Sequence, residues 1–148
     1  HFYQDLDEQM YQQFVLSPTV DRLPVSELDW RRKLWENFYP RVRREREPAL
    51  AAVVIVRFLR ERVGVDPAFR NRVGVETIWT QQMTDESGFE RVYVAALRSV
   101  GVAARLNERS QTELWDGSAW RAAPRPVTAN WAANASSAGT APFRPSGR

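Results

Sequence analysis

Apolar positions near the start of the chain recur about once per helical turn. Phe2, Leu6, Met10 and Phe14 form one stripe, with Tyr11 and Val15 beside it, and predict an amphipathic helix ending before Pro18. Ser26 to Asp29 reads S-E-L-D, a hydroxyl followed three positions later by an acid, which resembles a capping box. The helix it opens carries Trp30, Leu34, Trp35 and Phe38 on one face and is expected to run to about Tyr39 and stop at Pro40. Arg41 to Glu47, RVRRERE, mixes signs and reads as a solvated connector rather than a binding patch.

Pro48 suits the first position of the next helix. Leu50, Val54 and Phe58 line one side and Ala51, Ile55 and Leu59 the next, so this helix is expected to be central and to end at Gly64. Arg60 and Arg62 are placed to interact with its C-terminal carbonyls. Asp66-Pro67 suits a short turn, and Val75 to Met83 fits helix or strand equally. Ser87 and Glu90 read as a second capping box, followed at helical spacing by Phe89, Tyr93, Ala96, Leu97 and Val100, with Gly101 as the stop.

The period then changes. Val102, Ala104 and Leu106 alternate with other residues, and Thr112, Leu114 and Trp115 lead to Asp116-Gly117, a two-residue hairpin signal. Antiparallel strands are predicted at about 102–108, 111–116 and 118–123. From Pro124 on the chain is rich in Ala, Pro, Ser, Thr and Gly and reads as a tail or linker, with Trp131 and Phe143 as exceptions; Asn134-Ala135-Ser136 fits a glycosylation acceptor by pattern alone. The predicted class is α+β: about five helices on a small antiparallel sheet, in one domain over 1–123, with an N-terminal helical part at 1–46 and a core at 47–123.

Composition narrows the chemistry. An apolar share of 43% in 148 residues fills one core, and no apolar run approaches the ~20 residues needed to span a bilayer. HFYQDLDEQ lacks the basic start and apolar stretch of a signal peptide; a processed chain would look the same, so an extracytoplasmic bacterial location stays open. There is no Cys, and the one His is His1, so imidazole and thiolate metal sites, disulfides and thiol nucleophiles are not expected, and no cofactor is. The pI near 9.8 suggests nucleic acid. Position argues otherwise. Residues 117–148 hold four Arg and no acid, whereas residues 1–116 carry 17 basic against 18 acidic side chains. The basic excess belongs to the tail, and no nucleic-acid partner is expected of the folded part.

The stretch DESGFERVYVAALRSVGVAARL, followed by TELWDGSAW, resembles the transglutaminase-like superfamily, whose fold is papain-like. Arg98, Gly101, Val102, Ala104 and Arg105 fall at the spacing of that family's Arg-x-x-Gly-(Ile/Val)-Pro-Ala-Arg motif, with Ala103 in place of Pro. The resemblance covers Trp79 to Pro124 and extends more loosely back to Tyr39, where YPRVRRERE resembles bacterial relatives, some of which carry Ser in place of the family's Cys.

The resemblance implies acyl transfer or amide hydrolysis by a Cys-His-Asp triad, the Cys held at a helix N-terminus where unpaired amides and the helix dipole stabilise a thiolate. Asp85 matches the family's Asp, and Glu86 stands where the Cys belongs; a shift of one residue puts Ser87 there. The His position falls near Arg109 to Gln111 and the orienting acid near Pro124, and this chain has neither group. Ser87 as a nucleophile would need a base, and reads instead as a helix cap. Asp85 and Glu86 as a glycosidase-like pair read instead as acids suited to a helix start.

The sequence therefore predicts a non-catalytic structural or interaction module of a larger bacterial protein, its partner a protein, peptide or glycan in the vestigial groove. Asp85, Trp79, Arg98, Trp115 and Trp120 are candidate groove residues. Trp115 and Trp120 are more simply read as cover for the sheet, and Arg98 and Arg105 as donors to strand carbonyls or to Asp85. Two alternatives stay open: a hydrolase of amides or esters using Ser87 with a neighbouring carboxylate, and an Arg-based anion or nucleic-acid binder.

Overall fold

The computed structural model describes residues 2–4, 6–17, 30–69 and 74–125, and the backbone alone of two short strands at Thr19–Val20 and Leu23–Pro24. The fold is α+β. In chain order it comprises α1 (Glu8–Tyr11) continuing into a π-helical turn (Gln12–Leu16), β1 (Thr19–Val20), β2 (Leu23–Pro24), α2 (Trp30–Val42), α3 (Pro48–Arg62) and β3 (Gly64–Val65). There follow α4 (Val75–Gln81), β4 (Met83–Thr84), α5 (Glu86–Ser99), β5 (Ala104–Leu106), β6 (Thr112–Trp115) and β7 (Trp120–Ala122). Strands β5, β6 and β7 form an antiparallel sheet in that order, while β3 and β4 pair in parallel over two residues each. No helix among the described residues is long and apolar enough to cross a membrane.

The element at the centre is α5, not α3. Twelve residues of α5 are buried, from Gly88 to Ser99 without a break, against five in α3. Helix α3 buries one face through Ala51, Ala52, Ile55, Val56 and Leu59 and leaves Leu50 half exposed. Helix α2 buries Trp30, Leu34, Phe38 and Val42 in the same core. Between α2, α3 and α4 the rings of Phe38, Phe58 and Trp79 meet, with the guanidinium of Arg41 over Phe58 at 3.8 Å and that of Arg62 over Trp79 at 3.9 Å.

Several boundaries differ from the sequence reading. The first helix starts at Glu8 because Asp7 caps it, accepting from Met10 N–H at 2.8 Å, so Phe2 and Leu6 lie outside it. Helix α2 continues past Pro40 to Val42. Proline there removes one hydrogen bond near the helix end, and fully buried Val42 anchors the last turn. The S-E-L-D box at Ser26 to Asp29, Trp131, Phe143, Asn134 and the rest of the tail past Arg125 lie outside the described residues.

Helix α5 ends as Gly101 predicts. Val102 N–H donates to Leu97 O and Gly101 N–H to Arg98 O, a Schellman pair, with Gly101 at φ +92°. The hairpin tip is displaced from its predicted place. Trp115 pairs with Trp120, Asp116 N–H donates to Ala119 O, and Gly117-Ser118 form the tip. The Asp116 carboxylate itself takes the amides of Ser118 and Ala119, replacing a backbone acceptor in the turn.

Candidate functional site

The head of α5 is set by Asp85. Its backbone is extended and its Oδ1 accepts from Gly88 N–H at 2.8 Å, so Asp85 is the N-cap and Glu86 the first helical residue. This corrects the capping box read at Ser87 and Glu90. Ser87 lies within the first turn, and its hydroxyl accepts from Arg91 Nη1 at 3.2 Å. Glu90 faces the sheet. Its Oε1 accepts from Thr112 N–H at 2.9 Å and from the Thr112 hydroxyl at 2.7 Å, and its Oε2 from Arg125 Nη2 at 2.6 Å. Gly88 is needed for packing, since a Cβ there would sit 1.8 Å from Thr84 Oγ1.

Opposite this helix end stands the connection between β5 and β6. Asn107 shapes it: its Oδ1 accepts from the amides of Arg109 and Gln111, while its backbone pairs with Gln111 and Ser110. Ser110 takes a left-handed conformation at φ +60°, which costs a non-glycine residue ~1–2 kcal/mol. A third wall comes from the end of β7. Ala123 N–H donates to Thr112 O, and the Tyr93 hydroxyl donates to Pro124 O at 2.7 Å, which leaves Arg125 beside Glu90.

These three walls, with the end of α3 and β3, border an open cavity of about 400 Å³. Arg60, Glu86, Ser87, Arg109, Gln111 and Arg125 line it, with Phe89 and Val65 as its apolar part. Arg60 comes from α3 and lays its guanidinium over the Phe89 ring at 4.6 Å. Burial and the charge of Arg125 lower the Arg60 pKa, while Glu86 and Glu90 act in the opposite sense. Thus Glu86 and Ser87 from the helix head and Arg109 to Gln111 from the facing turn share one space.

The other sequence candidates lie elsewhere. Trp79 is buried in the aromatic cluster between α2, α3 and α4. Trp115 and Trp120 are cross-strand partners with rings edge to face at 5.6 Å. They occupy the face opposite buried Thr112 and Leu114, with Phe14 packed on Trp120 and Arg105 over its ring at 4.0 Å. Arg98 donates to the strand carbonyl of Ala104 at 3.0 Å and to Ser17 O at 3.2 Å, and burial beside Arg31 lowers its pKa to about 10. Arg105 bonds Glu113 at 3.0 Å, and Arg98 lies in the last turn of α5, at the far end of the helix from its N-cap Asp85.

Sequence reasoning did not find Arg60 and Arg125 as cavity residues. Arg60 carried only a helix-end signal and Arg125 lay in the apparent tail, so both depend on packing between distant segments. Among the described residues no group of three or more His, Asp or Glu side chains is arranged to hold a metal. No protein-family description, no curated protein and no solved structure matches this chain.

Proposed function

We propose that this chain is a non-catalytic module of transglutaminase-like architecture, part of a larger bacterial protein, which binds a partner at the head of α5. The observation that supports this most is the meeting of Glu86 and Ser87 with Arg109 to Gln111 in one cavity. A helix N-terminus facing the strand connection is the arrangement that the sequence resemblance requires of its nucleophile and its base. The side chains at those places suit binding better than turnover. Arginine stays protonated near neutral pH, and serine and glutamine do not shuttle protons unaided. At the place of the orienting acid stands Pro124, whose carbonyl is engaged by Tyr93.

The test is turnover by purified protein. Incubation with glutamine-bearing peptides should release no ammonia, and a broad serine-reactive probe should leave Ser87 unlabelled. Labelling that disappears in Ser87→Ala would establish the hydrolase reading instead. Ser87 lines the cavity next to Glu86, but its hydroxyl is taken up by Arg91. Salt-sensitive binding of DNA or RNA that survives removal of residues 126–148, which spares Pro124 and Arg125, would favour the Arg-based alternative.

A further inference from the structure

Two opposite charges face the cavity at the head of α5 without meeting. Glu86 is exposed on the first turn of the helix, and Arg109 is exposed on the turn between β5 and β6. Among the described residues neither side chain makes an ion pair or hydrogen bond, although the charge of Glu86 acts on Arg60. The remaining charges are engaged locally. Glu90 is held by Thr112 and Arg125, and Arg60 lies on Phe89.

We propose that this cavity binds a short zwitterion, a free amino acid or a di- or tripeptide, with its ammonium at Glu86 and its carboxylate at Arg109. This deepens the proposed binding role and rests on it. Three observations carry the ligand class. The open cavity of about 400 Å³ has room for a molecule of that size, and its mainly polar and charged lining suits a charged ligand rather than an apolar one. Three arginines against two glutamates leave one excess positive charge, which favours a carboxylate while keeping a seat for a cation. Ser87 and Gln111 line the same cavity; the Ser87 hydroxyl, which accepts from Arg91, keeps its proton to donate, and Gln111 adds an amide, both suited to a peptide group.

Competing ligand classes fit less well. A simple anion such as phosphate would approach Arg109 with Glu86 and Glu90 on the same walls, and would leave Glu86 without a counter-charge. A purely apolar ligand would cover guanidinium and carboxylate groups with no partners for them.

The experiment titrates the full chain with glycine, triglycine, N-acetyl-triglycine, triglycine amide and inorganic phosphate, followed by the backbone amide shifts of Glu86 to Gly88 and Arg109 to Gln111. An unblocked zwitterion should move both groups of signals. Blocking either end should weaken binding about threefold to tenfold. Glu86→Gln should weaken triglycine by that factor and leave the N-acetyl form unchanged, and Arg109→Gln should do the same for the free and amidated forms. Both positions are exposed, so both variants should fold; the dispersion of the amide spectrum checks this. Glycine binding as well as triglycine identifies a free amino acid as the source, whereas a clear preference for triglycine identifies a peptide. Equal binding of blocked and free peptides, binding of phosphate alone, or no shift with any zwitterion overturns the proposal. Peptide cleavage or ammonia release in the same tube would instead overturn the non-catalytic reading and leave the zwitterion site standing.

Discussion

One oxygen of the Glu90 carboxylate holds both the amide and the hydroxyl of Thr112, at 2.9 and 2.7 Å, and so joins the central helix to the middle strand of the sheet. The other oxygen anchors Arg125. Glu90→Ala would leave the buried Thr112 donors without that acceptor and should cost about 2–4 kcal/mol. Glu90→Gln keeps one carbonyl acceptor and should cost less. Urea unfolding monitored by tryptophan fluorescence reads the order: wild type most stable, Gln next, Ala least. Equal midpoints for all three would show that the contact contributes nothing.

Gly88 and Thr84 are fitted to each other. Gly88→Ala would set a methyl 1.8 Å from Thr84 Oγ1 and 3.0 Å from its Cβ, so the start of α5 must move. A loss of about 1–3 kcal/mol is expected. The paired change Gly88→Ala with Thr84→Gly removes both opposing atoms and should recover part of the loss in thermal melts. If Gly88→Ala alone melts like the wild type, the close approach is not a constraint.

Tyr93 is fully buried with its hydroxyl on Pro124 O, and burial pushes its ionisation well above the ordinary tyrosine range. The folded protein therefore holds this proton more tightly than the unfolded chain does. The contribution is complete below the ordinary value of 10.0 and is lost as pH rises beyond it. Wild type should lose stability above that pH more steeply than Tyr93→Phe, which at neutral pH should be about 1–2 kcal/mol less stable. Parallel alkaline limbs would refute the assignment.

The Asp116 carboxyl is held far below the ordinary carboxylate range, first by Arg121 and then by the amides of Ser118 and Ala119. Its folded pKa is depressed, so its contribution is present above the ordinary value of 3.8 and fades as pH falls through and below it. In acid titration Asp116→Asn should flatten that part of the unfolding curve. An unchanged slope would mean that the turn does not sense the charge.

The sequence pattern reached α2, α3 and α5 because each carries a run of apolar residues at helical spacing, and it reached β5 to β7 because Leu114 and its neighbours alternate. It misjudged the start of α5 for a physical reason. Ser-x-x-Glu satisfies a local rule, but the Glu90 carboxylate is claimed by Thr112, 22 positions away, and Asp85 is left to cap. The alternation that buries Thr112 and Leu114 already turns Trp115 to the other face, so its absence from the cavity could have been read. The parallel pairing of Gly64–Val65 with Met83–Thr84 could not, because two residues carry no periodicity. Nor could Arg60, whose seat over Phe89 exists only after α3 and α5 have packed.

Enclosure of α5 on every side has a kinetic counterpart. Amides from Phe89 to Ser99 should exchange with solvent only through global opening of the chain, making this helix the slowest segment to take up deuterium. The cavity floor is the first turn of that same rod. Its backbone is held in place before anything arrives, so a molecule settling there has only exposed side chains such as Glu86 and Arg109 left to order.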